Sequence, residues 1–360
     1  MMNDKNFCVI MAGGIGMKLW PSSTHQKPKQ FIDFLGTGET LLQSTYKRIS
    51  RFVDEQNIIV STNEHYRDLV MEQLPQLQTE NLLLEPMRRN TLPSAAWATV
   101  KIAHRCADAR VLVVPSDQMI YDEDHFEEDI TKAFDYVSHS GRLLALGVMP
   151  THAATNYGYI QMDGMQDSDI YQVKSFTEKP EQDFAQLFVD DRGFLWNTGL
   201  FVWLAKDFLR YANEKESEFP MIELTEEMIG DGATVDEIVK SAFSVCPNIS
   251  IEQVCLEKSE YTDVMLCHFR WSDLGTWHSL YNTMEKDGDK NVVMGGHVML
   301  YDCNGCMVKA ENDKVVVAED LRDYLIVEEN NVLLICHKSN QNAIRRFVND
   351  IQINMGEKFV

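Results

Sequence analysis

Positive charge is scarce in this chain. Thirty-three lysines and arginines stand against 55 aspartates and glutamates, a formal net charge of −22. Affinity for a phosphate backbone needs a basic stripe, so this balance argues against a nucleic acid or an anionic membrane surface as partner. Long apolar runs are missing too. No stretch reaches the ~20 residues that span a bilayer. The apolar segment 7–12 runs at once into glycines and Lys18, unlike a signal-peptide core. A cytoplasmic protein is expected. The histidines never fall at H-x-x-x-H or H-E-x-x-H spacing, so they read as ordinary surface or packed residues. Eight scattered cysteines include one C-x-x-C, Cys303 and Cys306, with no second pair to complete a zinc tetrahedron. That pair encloses Asn304-Gly305, a hairpin-turn dipeptide, and the cysteines are expected to be small buried hydrophobes.

What is present is a globular composition. Three hundred and sixty residues at 44% apolar content can bury a substantial core, as one large domain with an appendage or as two domains. The chain is organised around residues 7–31. Five apolar residues, 7–11, make a buried-strand signal that runs into Gly13, Gly14 and Gly16. Glycines permit positive φ and close backbone approach, so such a loop can cradle phosphates with main-chain N–H groups. Lys18, Lys27 and Lys29 follow within reach of one loop. The stretch reads as the site of an anionic ligand, or as a plain strand-turn with solvated lysines. A dinucleotide fingerprint would need a third glycine where Leu19 stands, and a Walker A loop fails because Met17 separates Gly16 from Lys18.

Strand and helix signals alternate after this loop. Thr40 can cap a helix carrying Leu41, Leu42, Tyr46 and Ile49; residues 58–60 read as strand, 65–74 as helix, 82–84 as strand, 93–106 as helix and 111–114 as strand. That rhythm predicts a parallel sheet wrapped by helices, with ligands beyond the carboxyl ends of the strands. The glycine loop, Glu85 and Pro115-Ser116-Asp117 all fall at such ends.

The middle is richer in strands, at 143–148, 157–161, 173–176 and 200–203, and is expected to extend the same sheet and carry a second substrate. Helices are expected again within 219–258. From residue 291 short β segments recur (297–301, 306–310, 314–318, 324–327, 332–336), spaced as a stacked β unit of about two turns closed by an amphipathic helix at 340–351. The polar run 286–291 places a domain boundary near residue 288, giving domains 1–288 and 289–360.

Several motifs together carry a resemblance. Gly13 to Pro21 and then Pro28-Lys29-Gln30-Phe31 are similar to the signature of sugar-nucleotide pyrophosphorylases, G-G-x-G-[ST]-R-L-[WF]-P followed by P-K-Q-F, with Met17 and Lys18 as departures. Glu85-Pro86-Met87-Arg88-Arg89-Asn90-Thr91 resembles the E-P-x-x-R-N-T of the guanylyl-transferring branch, where Leu92-Pro93 replaces A-P. Pro115-Ser116-Asp117-Gln118 resembles P-S-D-H with glutamine for histidine. Residues 156–160 (N-Y-G-Y-I), 176–180 (F-T-E-K-P), 196–201 (W-N-T-G-L-F) and 271–277 (W-S-D-L-G-T-W) match further blocks in order. The chain resembles the mannose-1-phosphate guanylyltransferases, or GDP-mannose pyrophosphorylases, in the short form without a fused isomerase domain.

The resemblance implies a fold, a reaction and a set of residues. The fold is α/β, a Rossmann-like nucleotidyltransferase domain with a mostly parallel mixed sheet, plus a small C-terminal left-handed β-helix-like domain. The substrates are GTP and mannose 1-phosphate, the cofactor Mg²⁺, and a homo-oligomer, a dimer, is expected. Lys18, Lys29, Asp117, Lys179 and Asp273 are implied as catalytic, with Asp117 and Asp273 holding the metal through oxygen, as a hard cation prefers. Gly13, Gly14, Gly16, Glu85, Asn90, Thr91 and Ser116 are implied for the nucleotide, and Gly158, Glu178, Lys179 and Asn197 for the sugar phosphate. Guanine offers two adjacent donors, which an ionised Glu85 could accept; Glu85 could instead only brace the following loop. On residue type alone, Asp117 and Asp273 also fit turns or caps, and Glu178-Lys179 a solvated pair before a turn. Adjacent strand residues face opposite ways, so Glu178 and Lys179 share a pocket only if the strand kinks at Pro180. A pyrophosphorylase for another base or sugar, or a non-catalytic binding subunit, are the competing functions.

Overall fold

A computed structural model describes residues 4–214, 234–243, 245–257 and 260–360. Residues 219–233 and Lys258, part of the stretch expected to be helical, lie outside the described residues; helices Val235–Ala242 and Ile251–Cys255 lie within them. The chain forms two compact units. The first draws on Met1–Gly13, Gln43–Ser116 and Ile120–Trp271, the second on Gly14–Leu42, Asp117–Met119 and Ser272–Val360.

Strands numbered along the chain begin with β1 (Asn6–Met11), β2 (Ile58–Asn63), β3 (Leu82–Glu85), β4 (Arg110–Pro115) and the short β5 (Gln118–Ile120). Then come β6 (Leu143–Val148), β7 (Gly158–Asp167), β8 (Ile170–Glu178), β9 (Phe194–Leu204), β10 (Thr262–Cys267) and the short β11 (Trp271–Asp273). The first unit is built on a nine-stranded mixed sheet in the order β3-β2-β1-β4-β9-β6-β10-β8-β7. β1, β2, β3 and β4 run parallel. Their near-continuous apolar runs, such as the fully buried Cys8, Val9 and Ile10 of β1, suit strands covered on both faces. β9 enters antiparallel between β4 and β6 and also pairs with β7, so the central strands extend the same sheet, as expected.

Helix Thr91–Arg105 packs into this unit's core, with Trp97 buried against the Phe243 ring. It starts two residues before the expected position because the Asn90 side chain accepts the Thr91 N–H and caps it. Pro93 then falls in the first turn, where its missing N–H costs no helical bond. Trp203 of β9 donates its indole N–H to Thr99 of the same helix at 3.2 Å.

The second unit holds β12 (Val292–Met294), β13 (His297–Tyr301), β14 (Met307–Ala310), β15 (Val315–Glu319), β16 (Tyr324–Glu329) and β17 (Val332–His337). β12, β14 and β16 stack in parallel and β13 pairs in parallel with β15, while β17 folds back antiparallel on β16. Asn304-Gly305 makes a corner here and not the hairpin its dipeptide suggested. The chain bends at Asp302 (φ 51°) and Gly305 (φ 67°) and passes from the β13 sheet to the β14 sheet. A 3-10 turn, Lys338–Ala343, and helix Ile344–Met355 follow. This unit's core joins Leu19, Trp20, Phe34 and Trp277 to Met307, Leu325 and Val327. Trp277 donates to the Trp20 carbonyl at 3.0 Å, and Trp20 to the Phe359 carbonyl at 2.7 Å. The glycine-loop residues after Gly13 thus share a core with the C-terminal strands. Both sides of the expected boundary near residue 288 fall in this second unit.

Candidate functional site

Four of the residues expected to be catalytic gather in the second unit. Gly16 takes the left-handed conformation (φ 70°) that opens the 3-10 turn Met17–Leu19 carrying Lys18. A Cβ on Gly16 would stand 2.6 Å from Lys29 Cγ and 2.8 Å from Cδ, so glycine is what lets the Lys29 stem lie against the loop. Lys29, only 8% exposed, reaches Asp117 Oδ2 at 2.6 Å. The short strands β5 and β11 pair and bring Asp117 and Asp273 into one neighbourhood. Gly275 clears the space that Asp273 uses, because a Cβ there would lie 2.5 Å from Asp273 Oδ2.

Electrostatics bind these groups together. Burial pushes the Asp273 carboxyl up from its ordinary range; Lys29 and Lys18 pull it back, and Asp117 adds to the rise. Burial alone would lower the Lys29 ammonium, but the carboxylates of Asp117 and Asp273 outweigh it and raise it, so Lys29 is a fixed cation at neutral pH. Unit charges 4 Å apart interact by about 1 kcal/mol in water and about 4 kcal/mol at an effective dielectric near 20. Charges in a partly sealed cluster of this kind interact more strongly than the same charges in water. Gln30 of the P-K-Q-F segment, whose type alone signals no role, is 2% exposed and donates to the Gly14 carbonyl at 2.9 Å. It holds the loop backbone in place.

In the first unit, Glu85 ends β3 at 5% exposure and accepts the Ser61 hydroxyl at 2.9 Å. Burial raises its carboxyl above the usual range. Its oxygens lie along the face of Gly13, where a Cβ would stand 3.5 Å from Oε1. Ser116 follows β4, with its N–H bonded to the Met11 carbonyl at 3.1 Å. Asn90 spends its side-chain oxygen on the Thr91 N–H, and the Thr91 hydroxyl oxygen accepts the Ile251 N–H at 3.0 Å.

The residues expected on the sugar side also meet in the first unit. Gly158 pairs with Glu178 across β7 and β8. A Cβ on Gly158 would lie 2.6 Å from the Phe176 ring and 2.8 Å from Glu178 Oε2, so a side chain here would displace the ring and turn the carboxylate aside. The bend that brings Glu178 and Lys179 to one side lies at Lys179 itself, whose φ is 47°, one residue before the expected Pro180. β8 ends at Glu178, and the left-handed turn swings Lys179 round to ion-pair with Glu178. Asn197, also implied for the sugar phosphate, lies on β9. Its oxygen is already taken by the Gly199 N–H (3.1 Å), and its NH₂ faces Glu252 Oε1 at 3.4 Å. Glu252 was missed, since S-I-E-Q reads only as a helix start.

A nucleotidyl transferase family model matches residues 7–290. The chain belongs to the nucleotidyl transferase family. Within it, this nucleotidyl transferase is 33% identical to the mannose-1-phosphate guanylyltransferase RfbM of Salmonella typhimurium, over 96% of this chain and 72% of that protein. It is also 33% identical to the alginate biosynthesis protein AlgA of Pseudomonas putida, over 94% of this chain and 70% of that protein. A solved mannose-1-phosphate geranyltransferase from Thermus thermophilus superposes with a TM-score of 0.85 at 28% identity, covering 97% of this chain and 99% of that one. The transferase thus sits in the branch its motifs resemble. Among its described residues, no helix is long and apolar enough to cross a membrane.

Proposed function

We propose that this chain makes GDP-mannose and pyrophosphate from GTP and mannose 1-phosphate. A phosphate oxygen of the sugar attacks the α-phosphorus in line, a new P–O bond forms, and the bond from the α-phosphorus to the departing pyrophosphate oxygen breaks. No acid or base has to be generated for this, so positioning and charge neutralisation carry the rate. The observation that carries the reading is the cluster of Lys29, Asp117, Asp273 and Lys18 beside the Gly16 turn.

Each residue has a proposed part. The N–H groups of Gly13, Gly14 and Gly16 approach the phosphates, and Lys18 and Lys29 oppose the charge that builds on the leaving pyrophosphate. Asn90, Thr91 and Ser116 shape the nucleotide's surroundings, and Glu85 accepts the N1–H and amine of guanine, whose donors offset the cost of its burial. Lys179 meets the sugar phosphate and Glu178 and Asn197 the hydroxyls, against the bare backbone of Gly158. Asp117 and Asp273 offer carboxylate oxygens, the donors a hard divalent ion takes. Among the described residues no third such ligand joins them, so Mg²⁺ held here would complete its shell with phosphate oxygens and water. When bound it supplies charge neutralisation to the triphosphate.

Residues 1–288 form the transferase segment. The parallel strands of residues 289–360 form about two turns of a left-handed β-helix, the working species is a homodimer, and the site of action is the cytoplasm. Chromatography of a mixture of protein, GTP, mannose 1-phosphate and Mg²⁺ tests the function. A GDP-mannose peak that disappears with a chelator is expected; its absence under every metal tried would end the proposal.

A further inference from the structure

Glu252 stands among the sugar residues without any role assigned to it. The Gly199 N–H can only donate, so the Asn197 atom facing it at 3.1 Å is the amide oxygen, and the NH₂ is thereby turned toward Glu252. The Glu252 carboxylate also takes hydrogen bonds from its own N–H and from the Ser250 side chain, and at 3.4 Å the Asn197 contact is long, so it yields readily to a better-placed donor. One Asn197 N–H faces Glu252, and the second remains for a ligand. The result is a fixed donor beside a fixed acceptor, the pair that a single sugar hydroxyl satisfies.

The backbone around Glu252 is held more firmly than a surface turn requires. Ser250 and Gln253 close a capping box around the start of helix Ile251–Cys255. The Thr91 hydroxyl oxygen accepts the Ile251 N–H, and the Leu92 N–H donates to the Ile249 carbonyl at 3.2 Å. The Asn90-Thr91 motif, singled out in the sequence for the nucleotide, thus also fixes the segment that presents Glu252. Burial raises the Glu252 carboxyl first, and the nearby Glu178 carboxylate adds to it. Glu178 already has the Lys179 ammonium beside it, whereas Glu252 has only neutral donors, and sugar hydroxyls are donors of that kind.

We propose that Glu252 is a specificity-determining residue for the sugar: with Asn197 it binds one hydroxyl, the carboxylate accepting the hydroxyl proton and the amide donating to the hydroxyl oxygen. This rests on the reading of the chain as a sugar 1-phosphate transferase. Sites that hydrogen-bond a substrate hydroxyl reject analogues lacking it far more strongly than apolar pockets do. Removing the carboxylate and removing its hydroxyl should therefore cost the same thing once.

The test is a cycle between residue and hydroxyl. kcat/KM is measured for the parent, Glu252→Gln and Glu252→Asp with mannose 1-phosphate and each of its monodeoxy analogues. With the full substrate, Glu252→Gln should lose about 10–100-fold in kcat/KM while KM for GTP stays within about two-fold. One deoxy analogue should be poor for the parent, yet cost the Gln variant only a few-fold more than the full substrate does. Glu252→Asp should recover part of the discrimination, and thermal melting of all three reports whether they fold. If the parent and the Gln variant show the same penalty for every deoxy analogue, or if GTP binding suffers equally, the inference is overturned. A parent that prefers a different sugar phosphate overturns the mannose reading alone, and the same cycle on that sugar's deoxy analogues then decides the role of Glu252. A parent inert toward every sugar phosphate overturns both.

Discussion

At the scale of single residues, Lys29 is the centre of the account, because it is the buried cation between two carboxylates. Asp117→Asn and Asp273→Asn each weaken the same cluster, so each should lower kcat by about 10²–10³-fold, the loss typical of one transition-state contact. The double variant should be little worse than either, since both act as one unit. Steady-state rates for the four proteins check this, and a fully multiplicative double variant would mean the two act apart. Lys18 carries a different question, because family signatures have arginine at that position. An arginine fork spans two phosphate oxygens where an ammonium offers one compact charge. Lys18→Arg should keep or raise turnover, and Lys18→Met should lose ten-fold or more; single-turnover pyrophosphate release reads both. A Met variant equal to the parent would make Lys18 a bystander.

At the scale of elements, the bends hold the chemistry. Gly158→Ala would push a methyl into Phe176 and Glu178, an overpacking that typically costs ~1–3 kcal/mol. The expected signature is a KM for the sugar phosphate raised about ten-fold or more with KM for GTP unchanged, read by varying each substrate in turn. Asn90 (φ 65°) caps helix Thr91–Arg105 from a backbone conformation that glycine tolerates better than alanine. Asn90→Ala loses the cap and strains the backbone, so it should cost about 2 kcal/mol, whereas Asn90→Gly should cost a few tenths. Chemical denaturation separates them, and an Ala variant as stable as the Gly variant would deny the cap. These bends also mark where the sequence was legible. The parallel rhythm of β1 to β4 was plain in their apolar runs and intervening helices. The turn at Lys179 was misplaced by one residue because Pro180 draws attention, although a proline chiefly biases the residue before it. Asn304-Gly305 looked like a hairpin because a dipeptide cannot announce which sheet the next strand will join.

At the scale of the whole molecule, the least legible feature is non-local. The tryptophan of the signature, Trp20, bonds to Phe359, 339 residues away, and the glycine-loop residues after Gly13 share a compact unit with the C-terminal strands. No local pattern reports such a contact. The motifs were legible because their glycines stand against particular side chains: Gly16 against Lys29, Gly158 against Phe176 and Glu178, Gly275 against Asp273. Glu252 was not, because one carboxylate in a helix start looks like any other. The reaction itself can be read from a single substrate panel. Pyrophosphate release is followed across the four nucleoside triphosphates, each with mannose 1-phosphate and with glucose 1-phosphate, in the presence of Mg²⁺. GTP with mannose 1-phosphate should give the highest kcat/KM, with no release when the sugar phosphate is omitted; equal rates for all pairs, or no release from any, would rule out a GDP-mannose-forming transferase.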